Sequence, residues 1–323
     1  MKPNDSVAFN HTDSKTKVHA ETVSVIIPCY NQAVFLNEAI ESVLHQTYPY
    51  FEIVVIDDGS PDNITEIIKE YPQVTLLRQP NAGAAVARNN GMAHSSGAYL
   101  IFLDSDDRLL PGALHAGVSL LTQDRQMAFV TGGVKLIDRS GNLLEIPSQP
   151  IVEEHHYKTL LQSNYIWTPG VVMYRRSVFK SEKGFDPGAG GSADYELNIR
   201  LARKFRVGCH GELVLEYRQH GQNMSSNYAY MLKSGVSVRR AQYPYIKHDA
   251  DLIKAWRRGM QIVQQDVGEK YLNEIHKKMS QAGRSEVIKD LQCLMKYYPK
   301  GMMKFFVQRV KNLLSPRKKK LTG

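Results

Sequence analysis

Residues 99–107 read YLIFLDSDD, an apolar run that predicts a buried strand, followed by three aspartates at its carboxyl end. Alternate residues of an extended chain point to the same face, so Asp104 and Asp106 should project together. Two carboxylates this close repel each other unless a hard dication or the donors of a ligand lie between them. The residues alone are explained equally well by a turn or a helix N-cap ahead of Leu109, because Asp is favoured in both.

Three strands alternating with three helices precede this stretch. The predicted strands are 23–27, 51–56 and 74–77, and the predicted helices are 34–45, 62–71 and 82–94. The first strand is apolar almost throughout, which suits a strand covered on both faces of a parallel sheet. This alternation predicts an α/β fold with an open, mostly parallel sheet flanked by helices.

Polar residues follow three of the predicted strands, at Pro28–Asn31, Asp57–Ser60 and Asp104–Asp106. In open α/β sheets ligands bind beyond the carboxyl ends of the strands. Strands also end in polar turns by chance. Two acidic clusters at one edge nevertheless favour a cation-dependent anionic ligand, most simply a nucleoside diphosphate.

The second half of the chain is less regular. Antiparallel strands are predicted over Met127–Val130, Gly133–Asp138 and Leu143–Ile146, and further strands over Val171–Tyr174, Val207–Cys209 and Leu213–Tyr217. A helix is predicted over Asp194–Phe205, and a mostly helical region over Tyr228–Leu314.

Composition narrows the class of protein. The chain has 323 residues, 42% of them apolar, and its three cysteines, Cys29, Cys209 and Cys293, form no CxxC pair. That argues against a disulfide framework or a zinc site and fits a reducing compartment. The first 20 residues are polar and no apolar run reaches 18 residues, so we expect a cytoplasmic protein without a spanning helix.

Charge divides the chain unevenly. Residues 1–226 hold 20 basic and 25 acidic residues, whereas residues 227–323 hold 21 and 7. This shift predicts a boundary near residue 226 and a basic C-terminal region.

Seven motifs together resemble family 2 of the inverting glycosyltransferases, which has the GT-A fold. They are VSVIIPCYN (23–31), EIVVIDDGSPD (52–62), NAGAAVARNNG (81–91), GAYLIFLDSDD (97–107), GFDP (184–187), ADYEL (193–197) and YRQH (217–220). The resemblance covers roughly residues 22–226 and implies a GT-A catalytic domain there. The residues themselves predict a disordered leader over 1–21 and a basic helical region over 227–323. Within the catalytic domain, the resemblance implies a nucleotide-sugar half (22–110) and an acceptor half (111–226).

The resemblance also implies roles for the acidic cluster. Asp106 would be a ligand of Mn²⁺ or Mg²⁺, and Asp104, with Ser105 beside it, would hold the ribose or a metal-bound water. His220 resembles a histidine that completes the metal shell in many members. A histidine near a strand end is as often plain polar surface.

Four more residues match the family's nucleotide site. Pro28 and Tyr30 resemble the loop under the base, Asp58 the carboxylate that accepts from the ring N–H, and Arg88 the arginine that faces base or phosphate. The alternatives are a core aromatic for Tyr30, a type I turn for Asp58 and a helix-surface arginine for Arg88.

The acceptor side has one implied catalytic residue. Asp194 matches the base that deprotonates the acceptor hydroxyl in a single inverting displacement. Many relatives have Glu-Asp here, and this chain has Ala193-Asp194. A carboxylate favoured by the helix dipole is the alternative for Asp194. Trp167 could stack on a sugar ring or lie in the core.

The C-terminal residues 302–320 combine an apolar helical face with a basic one. That pattern fits a helix on an anionic membrane surface, and equally a helix packed on the protein with a solvated tail. Because the tail has no recognisable nucleic-acid-binding module, we expect no nucleic-acid partner.

The sequence therefore predicts a metal-dependent inverting glycosyltransferase. It would move a sugar from a nucleoside-diphosphate sugar, with a UDP-sugar favoured, to a glycan or lipid-linked saccharide in cell-surface polysaccharide synthesis, in the cytoplasm or at the inner membrane face. A catalytically degenerate nucleotide-sugar-binding scaffold is the alternative. A sugar-phosphate nucleotidyltransferase fits less well, because PCYNQ stands where a glycine-rich triphosphate loop would follow the first strand.

Overall fold

A computed structural model describes residues 21–221, 223–279 and 284–314, without the side chains of 284–286 and 308–314. The predicted leader, apart from its last residue, and the basic residues after 314 lie outside the described residues.

Nine strands in this part of the chain form one sheet. They are β1 Val23–Cys29, β2 Phe51–Asp57, β3 Val74–Arg78, β4 Tyr99–Phe102, β5 Arg108–Leu109, β6 Met127–Ile137, β7 Leu143–Glu145, β8 Val172–Arg175 and β9 Arg206–Arg218. Their order is β3-β2-β1-β4-β8-β6-β9-β5, and β7 pairs with β6. Strands β3, β2, β1 and β4 are mutually parallel, β8 runs antiparallel to β4 and β6, and β6 and β9 are parallel. The predicted α/β class is confirmed.

Helices cover this sheet and continue beyond it. They are α1 Ala33–Leu44, α2 Ile64–Lys69, α3 Ala84–Ala93, α4 Ala113–Gln123, α5 His156–Gln162, α6 Ala193–Lys204, α7 Tyr228–Ile246, α8 Ala250–Lys278, α9 Arg284–Tyr297 and α10 Pro299–Leu314. The predicted helical region from Tyr228 is confirmed, whereas α4, α5 and the short β5 were not predicted.

Two predictions in the second half were wrong. Met127–Val130 and Gly133–Asp138, predicted as separate antiparallel strands, are the single strand β6, which pairs in parallel with β9. The two strands predicted over 207–217 are likewise continuous in β9. Glycines read as breaks in the pattern, but the sheet absorbs them: Gly211 has φ +73° within β9, and the β6–β9 register shifts at Gly133.

The parallel half of the sheet is packed closely against α3. All seven residues of β1 are buried. A Cβ on Gly91 of α3 would come 2.4 Å from Cγ2 of Ile26, so glycine is required for this approach of helix to sheet. The approach places Arg88, one turn earlier on α3, at the carboxyl edge of the strands.

The C-terminal helices contribute to two apolar clusters, of which one joins them to the rest of the molecule. Val238, Ile246 and Ala255 pack into the main core around the sheet. Other residues of α7 to α10, among them Leu232 and Tyr271, form a second cluster. Helix α7 begins at Tyr228, and the predicted division into a catalytic domain over 22–226 and a C-terminal region over 227–323 stays a prediction.

Candidate active site

A cavity of about 850 Å³ opens beyond the carboxyl ends of β1, β2 and β4. Residues of α6 and of the C-terminal helices α7 and α8 form its other walls. Eight residues predicted from the sequence line it: Pro28, Tyr30, Asp58, Arg88, Asp104, Ser105, Asp106 and Asp194. The ninth, His220, contacts Asp106, and its side chain is only 1% exposed. Residues from six separate segments of the chain are thus brought together.

Asp104 is paired with Arg88. Its Oδ1 accepts a hydrogen bond of 2.5 Å from Arg88, and its Oδ2 accepts one of 3.3 Å from the Thr168 hydroxyl. Burial lowers the pKa of Arg88, but Asp104 and, more weakly, Asp194 raise it on balance. The guanidinium therefore stays charged between two carboxylates, 5.3 Å from the ring centre of Phe185.

Asp106, with His220 in contact behind it, is the part of the site that suits a cation. Asp106 Oδ2 lies 2.9 Å from His220 Nε2 and 3.5 Å from Nδ2 of Asn223, and His220 stacks on Phe35. Burial raises the pKa of Asp106, and Asp104 adds to this, whereas His220 opposes it.

Within the described ranges, no group of three or more His, Cys, Asp or Glu side chains could hold a metal ion by itself. One carboxylate and one imidazole fit an ion whose remaining ligands are diphosphate oxygens and water, as is common for Mg²⁺. Asp106 and His220 thus fit a divalent cation that binds together with its nucleotide.

Arg218 fixes the backbone behind these acidic groups. This fully buried arginine donates to the carbonyl of Asp106 at 2.8 Å and to Glu38 at 2.6 Å, and its own N–H donates to Asp107 Oδ1 at 2.9 Å. Burial, then Asp106 and Asp104, raises the pKa of Asp107 well above its usual range, and its Oδ2 is buried without a described partner. The Asp106-Asp107 segment is held rigidly in place by this arginine.

One end of the cavity is formed by the turns after β1 and β2. Asp58 is 3% exposed, and its oxygens accept hydrogen bonds from Gln79 and from the backbone N–H groups of Ala82 and Gly83 at 2.7–2.9 Å. Tyr30, by contrast, is 50% exposed, so the core alternative for this residue was wrong. The alternative for Arg88, an arginine on the helix surface, was also wrong, since it is 8% exposed.

Asp194 lies at the start of α6 and faces the same cavity. Burial raises the pKa of Asp194, and Asp104 adds to this, while Arg88 lowers it. A carboxylate whose pKa is raised and which lies in a cleft fits a general base. The preceding Ala193 is 4% exposed, and it leaves no second carboxylate at this point.

Sequence reasoning missed several residues of the cavity wall. Thr168 supports Asp104, and Tyr230, Arg239 and Asp266 belong to helices that follow the motifs. No motif marked Tyr230, Arg239 and Asp266, because the packing of α7 and α8 brings them to the cavity. Thr168 lies outside the motifs, in the segment before β8. Trp167 is 43% exposed and lines the cavity, so the core alternative for it was wrong.

The protein has an α/β fold with a cavity and an acidic cluster at the carboxyl edge of its parallel strands, which is where open α/β sheets bind ligands. Residues 24–182 match the sequence profile of Glycosyl transferase family 2, and the chain belongs to that family. An uncharacterized glycosyltransferase of Rickettsia felis is 33% identical over 201 residues, which cover 61% of this chain. Chondroitin synthase of Escherichia coli is 27% identical over 222 residues, 66% of this chain. The chain spans about a third of the length of both relatives, 33% and 31%.

Two solved structures have a similar fold. Staphylococcus aureus TarS 1–349 in complex with UDP-GlcNAc has a TM-score of 0.61 at 17% identity, over 85% of this chain and 80% of that one. The mannosyltransferase PcManGT of Pyrobaculum calidifontis, in complex with GDP-Man and Mn²⁺, has a TM-score of 0.57 at 17% identity, over 91% and 87%. At this identity the likeness shows the fold, which is GT-A.

Proposed function

We propose that this chain transfers a sugar from a nucleoside-diphosphate sugar to a hydroxyl of a glycan or lipid-linked saccharide, with inversion and with a divalent cation. The observation that supports this best is that Asp58, Asp106 and Asp194, from three separate segments, line one cavity. One rim thus has groups suited to a nucleotide, a cation and an acceptor hydroxyl. The family and the nucleotide-sugar complexes of TarS and PcManGT add support.

On the donor side, each residue has a distinct role. Pro28 and Tyr30 flank the nucleobase, and Asp104 with Ser105 holds the ribose. Asp58 accepts a hydrogen bond from the ring N–H of the nucleobase, which replaces the one that it accepts from Gln79. Arg88 orients Asp104 and offsets negative charge beside the diphosphate.

Asp106 and His220 would hold Mn²⁺ or Mg²⁺, which when bound stabilises the negative charge of the departing diphosphate.

On the acceptor side, Asp194 removes the proton of the attacking hydroxyl. The carboxylate lies in the cavity at the start of α6, where the positive end of the helix dipole favours its charged form. Burial raises its pKa, which makes it a stronger base than an exposed aspartate. A single in-line displacement by the deprotonated hydroxyl inverts the anomeric configuration and needs no nucleophile from the enzyme.

The test is nucleoside diphosphate release from a panel of UDP- and GDP-sugars, with Mn²⁺ or with EDTA. We expect cation-dependent release with at least one donor, a UDP-sugar first. Full turnover in EDTA would contradict the cation role. Binding of a nucleotide sugar without any release, with acceptor glycans present, would support the scaffold alternative. Pyrophosphate release from a nucleoside triphosphate and a sugar phosphate would support the nucleotidyltransferase alternative.

We further propose that α10 rests on an anionic membrane surface. Met302 and Phe305 are buried against the other helices, but Met303, Phe306 and Val307 are 67%, 50% and 50% exposed. Lys300 and Lys304 are exposed on the same helix. One side of α10 therefore packs on the protein, while apolar and basic groups face outward, as in interfacial helices. None of the described helices is both long and apolar enough to cross a bilayer.

Sedimentation with phosphatidylglycerol vesicles tests this proposal. Replacing Phe306 and Val307 by serine should lower partitioning at least about tenfold, since about 1.4 kcal/mol of lost apolar burial suffices. Phosphatidylcholine vesicles are the control for charge. Equal partitioning of wild type and variant would contradict the membrane role. A place at the inner face of the membrane, in cell-surface polysaccharide synthesis, would follow from the positive result.

A further inference from the structure

Arg239 on α7 is a buried cation in the cavity wall. The residue is 5% exposed and lines the cavity. Among the described residues its Nε has no hydrogen-bond partner, and its NH1 reaches only the carbonyl of Gly235, at 3.3 Å. A guanidinium has five donors, so most of its capacity for a ligand remains unused.

No carboxylate within the described part of the chain forms an ion pair with Arg239. Arg88, by contrast, lies 2.5 Å from Asp104 in the same cavity. Burial lowers the pKa of Arg239, opposed by the Tyr195 hydroxyl, yet a guanidinium stays charged at any physiological pH. A buried charge without a counter-ion is costly, and a ligand anion would offset that cost.

The side chain is held in a defined position. Its guanidinium lies 4.7 Å from the ring centre of Tyr195, and a Cβ on Gly259 of α8 would come 3.1 Å from Nε. The backbone carbonyl of Arg239 accepts a hydrogen bond of 2.7 Å from Trp256. Two glycines and an aromatic ring thus form a slot for this arginine, which is pre-organised before any ligand binds.

The slot lies on the acceptor side of the cavity. Tyr195 follows Asp194 directly, and Arg239 packs on its ring. Trp167 and Tyr230, 43% and 39% exposed, line the same cavity and offer ring faces to a sugar. The donor residues belong to the turns after β1, β2 and β4, where Arg88 is the cation.

We propose that Arg239 binds an anionic group, a carboxylate or a phosphate, of the saccharide that accepts the transferred sugar. This inference rests on the proposed glycosyl transfer, and it names the acceptor as an acidic saccharide. Recognition is charge-assisted and can be bidentate, because both oxygen anions match the guanidinium.

Calorimetric titration of the full chain in EDTA tests the proposal with three matched probes. Glucuronate bears a carboxylate, glucose 6-phosphate a phosphate, and glucose neither. We expect one of the two anions to bind with a Kd at least tenfold lower than that of glucose, and the better anion identifies the class of acceptor. Arg239→Gln should remove the difference, whereas Arg240→Gln, an exposed neighbour outside the cavity, should retain it.

Circular dichroism and thermal unfolding establish whether the glutamine variant folds. If Arg239→Gln does not fold, Arg239→Lys is used instead. Lysine keeps the positive charge but lacks the planar guanidinium, so the Kd of the anion should rise threefold or more. Equal binding of the three probes by wild type, or an anion Kd unchanged in the folded variant, would overturn the proposal. A loss of nucleotide-sugar affinity in Arg239→Gln would instead assign the residue to the donor.

These titrations need no turnover, so they are separate from nucleoside diphosphate release. Release without anion preference refutes the acidic acceptor and leaves the transferase intact. Anion binding without release from any nucleotide sugar refutes the transferase, and with it the identification of the bound anion as an acceptor.

Discussion

Replacement of Asp194 by asparagine tests the proposed base most directly. Asparagine keeps the shape of the side chain but cannot take a proton. Loss of a general base costs about 10²- to 10⁴-fold in kcat, which is about 3–5 kcal/mol in the activation barrier. Arg88 remains paired with Asp104 at 2.5 Å in this variant, so the donor side keeps its charge balance. We therefore expect the Kd of the nucleotide sugar to change by less than about threefold, or about 0.7 kcal/mol.

The pH profile adds a second readout. Burial raises the pKa of Asp194, so the carboxyl protonates at a higher pH than the ordinary aspartate value of about 3.9. Protonation removes the base, and kcat should therefore fall on the acid side as the pH drops through this raised pKa. The asparagine variant, whose residual kcat is low, should not show this fall of kcat on the acid side.

Glu196→Gln is the matched control for this experiment. Glu196 lies on the same helix, bonds to Arg200 at 2.8 Å and does not line the cavity. Its removal should leave kcat within about twofold, because a partly exposed ion pair contributes only about 0.2–1 kcal/mol. An Asp194→Asn enzyme whose kcat lies within tenfold of wild type, with the fall of kcat on the acid side unchanged, would refute the assignment of Asp194.

Three further predictions concern other parts of the molecule. Asp106→Ala should abolish Mn²⁺-stimulated diphosphate release, and rates equal to wild type across an Mn²⁺ titration would contradict this. Burial raises the pKa of Glu52, but the four hydrogen bonds that its Oε1 accepts lower the pKa on balance. Glu52→Gln should therefore reduce the free energy of unfolding, measured in urea, by about 1–3 kcal/mol at pH 7. Because the pKa is depressed in the folded state, that difference should shrink as the pH falls below about 4.3, and a pH-independent difference would contradict it. A Cβ on Gly259 would come 2.0 Å from the Leu161 carbonyl, so Gly259→Ala should lower the free energy of unfolding in urea by about 1–3 kcal/mol. The control is Gly221→Ala, whose Cβ would have no atom within 4 Å and which should lower it by less than about 1 kcal/mol.

The parallel half of the sheet could be predicted because its signals are local. Apolar runs such as 23–27 end at a proline or an aspartate, and each helix shows its own periodicity. The polar clusters at Pro28–Asn31, Asp57–Ser60 and Asp104–Asp106 followed from the same strands, since parallel strands bring their carboxyl ends to one edge. Arg88, Asp194 and His220 were predicted from the resemblance of their motifs to those of the family.

The second half of the sheet, strands β5 to β9, was harder to predict because its signals conflict. Glycines within β6 and β9 suggested strand ends, but neighbouring strands supply enough backbone pairing to continue through Gly133 and Gly211. Short β5, of two residues, depends on β9 alone and has no pattern of its own. Context decided these elements rather than propensity.

The part of the cavity wall that α7 and α8 form could not be predicted for a different reason. Arg239 has the spacing of an ordinary residue in a helix, and its role depends on where α7 lies relative to α6 and α8. Asp107 likewise resembled one more turn aspartate, although Arg218 from β9 makes it a buried support. Such contacts join residues more than 40 positions apart, which periodicity does not record.

The placement of α7 and α8 over the cavity has a consequence for engineering. The family profile ends at residue 182, so the nucleotide motifs and the two closing helices lie in different portions of the gene. A chimera that receives α7 and α8 from another family member should change which recipient saccharide it modifies while keeping its activated-sugar preference. Truncation before residue 228 would remove the part of the cavity wall that α7 and α8 form.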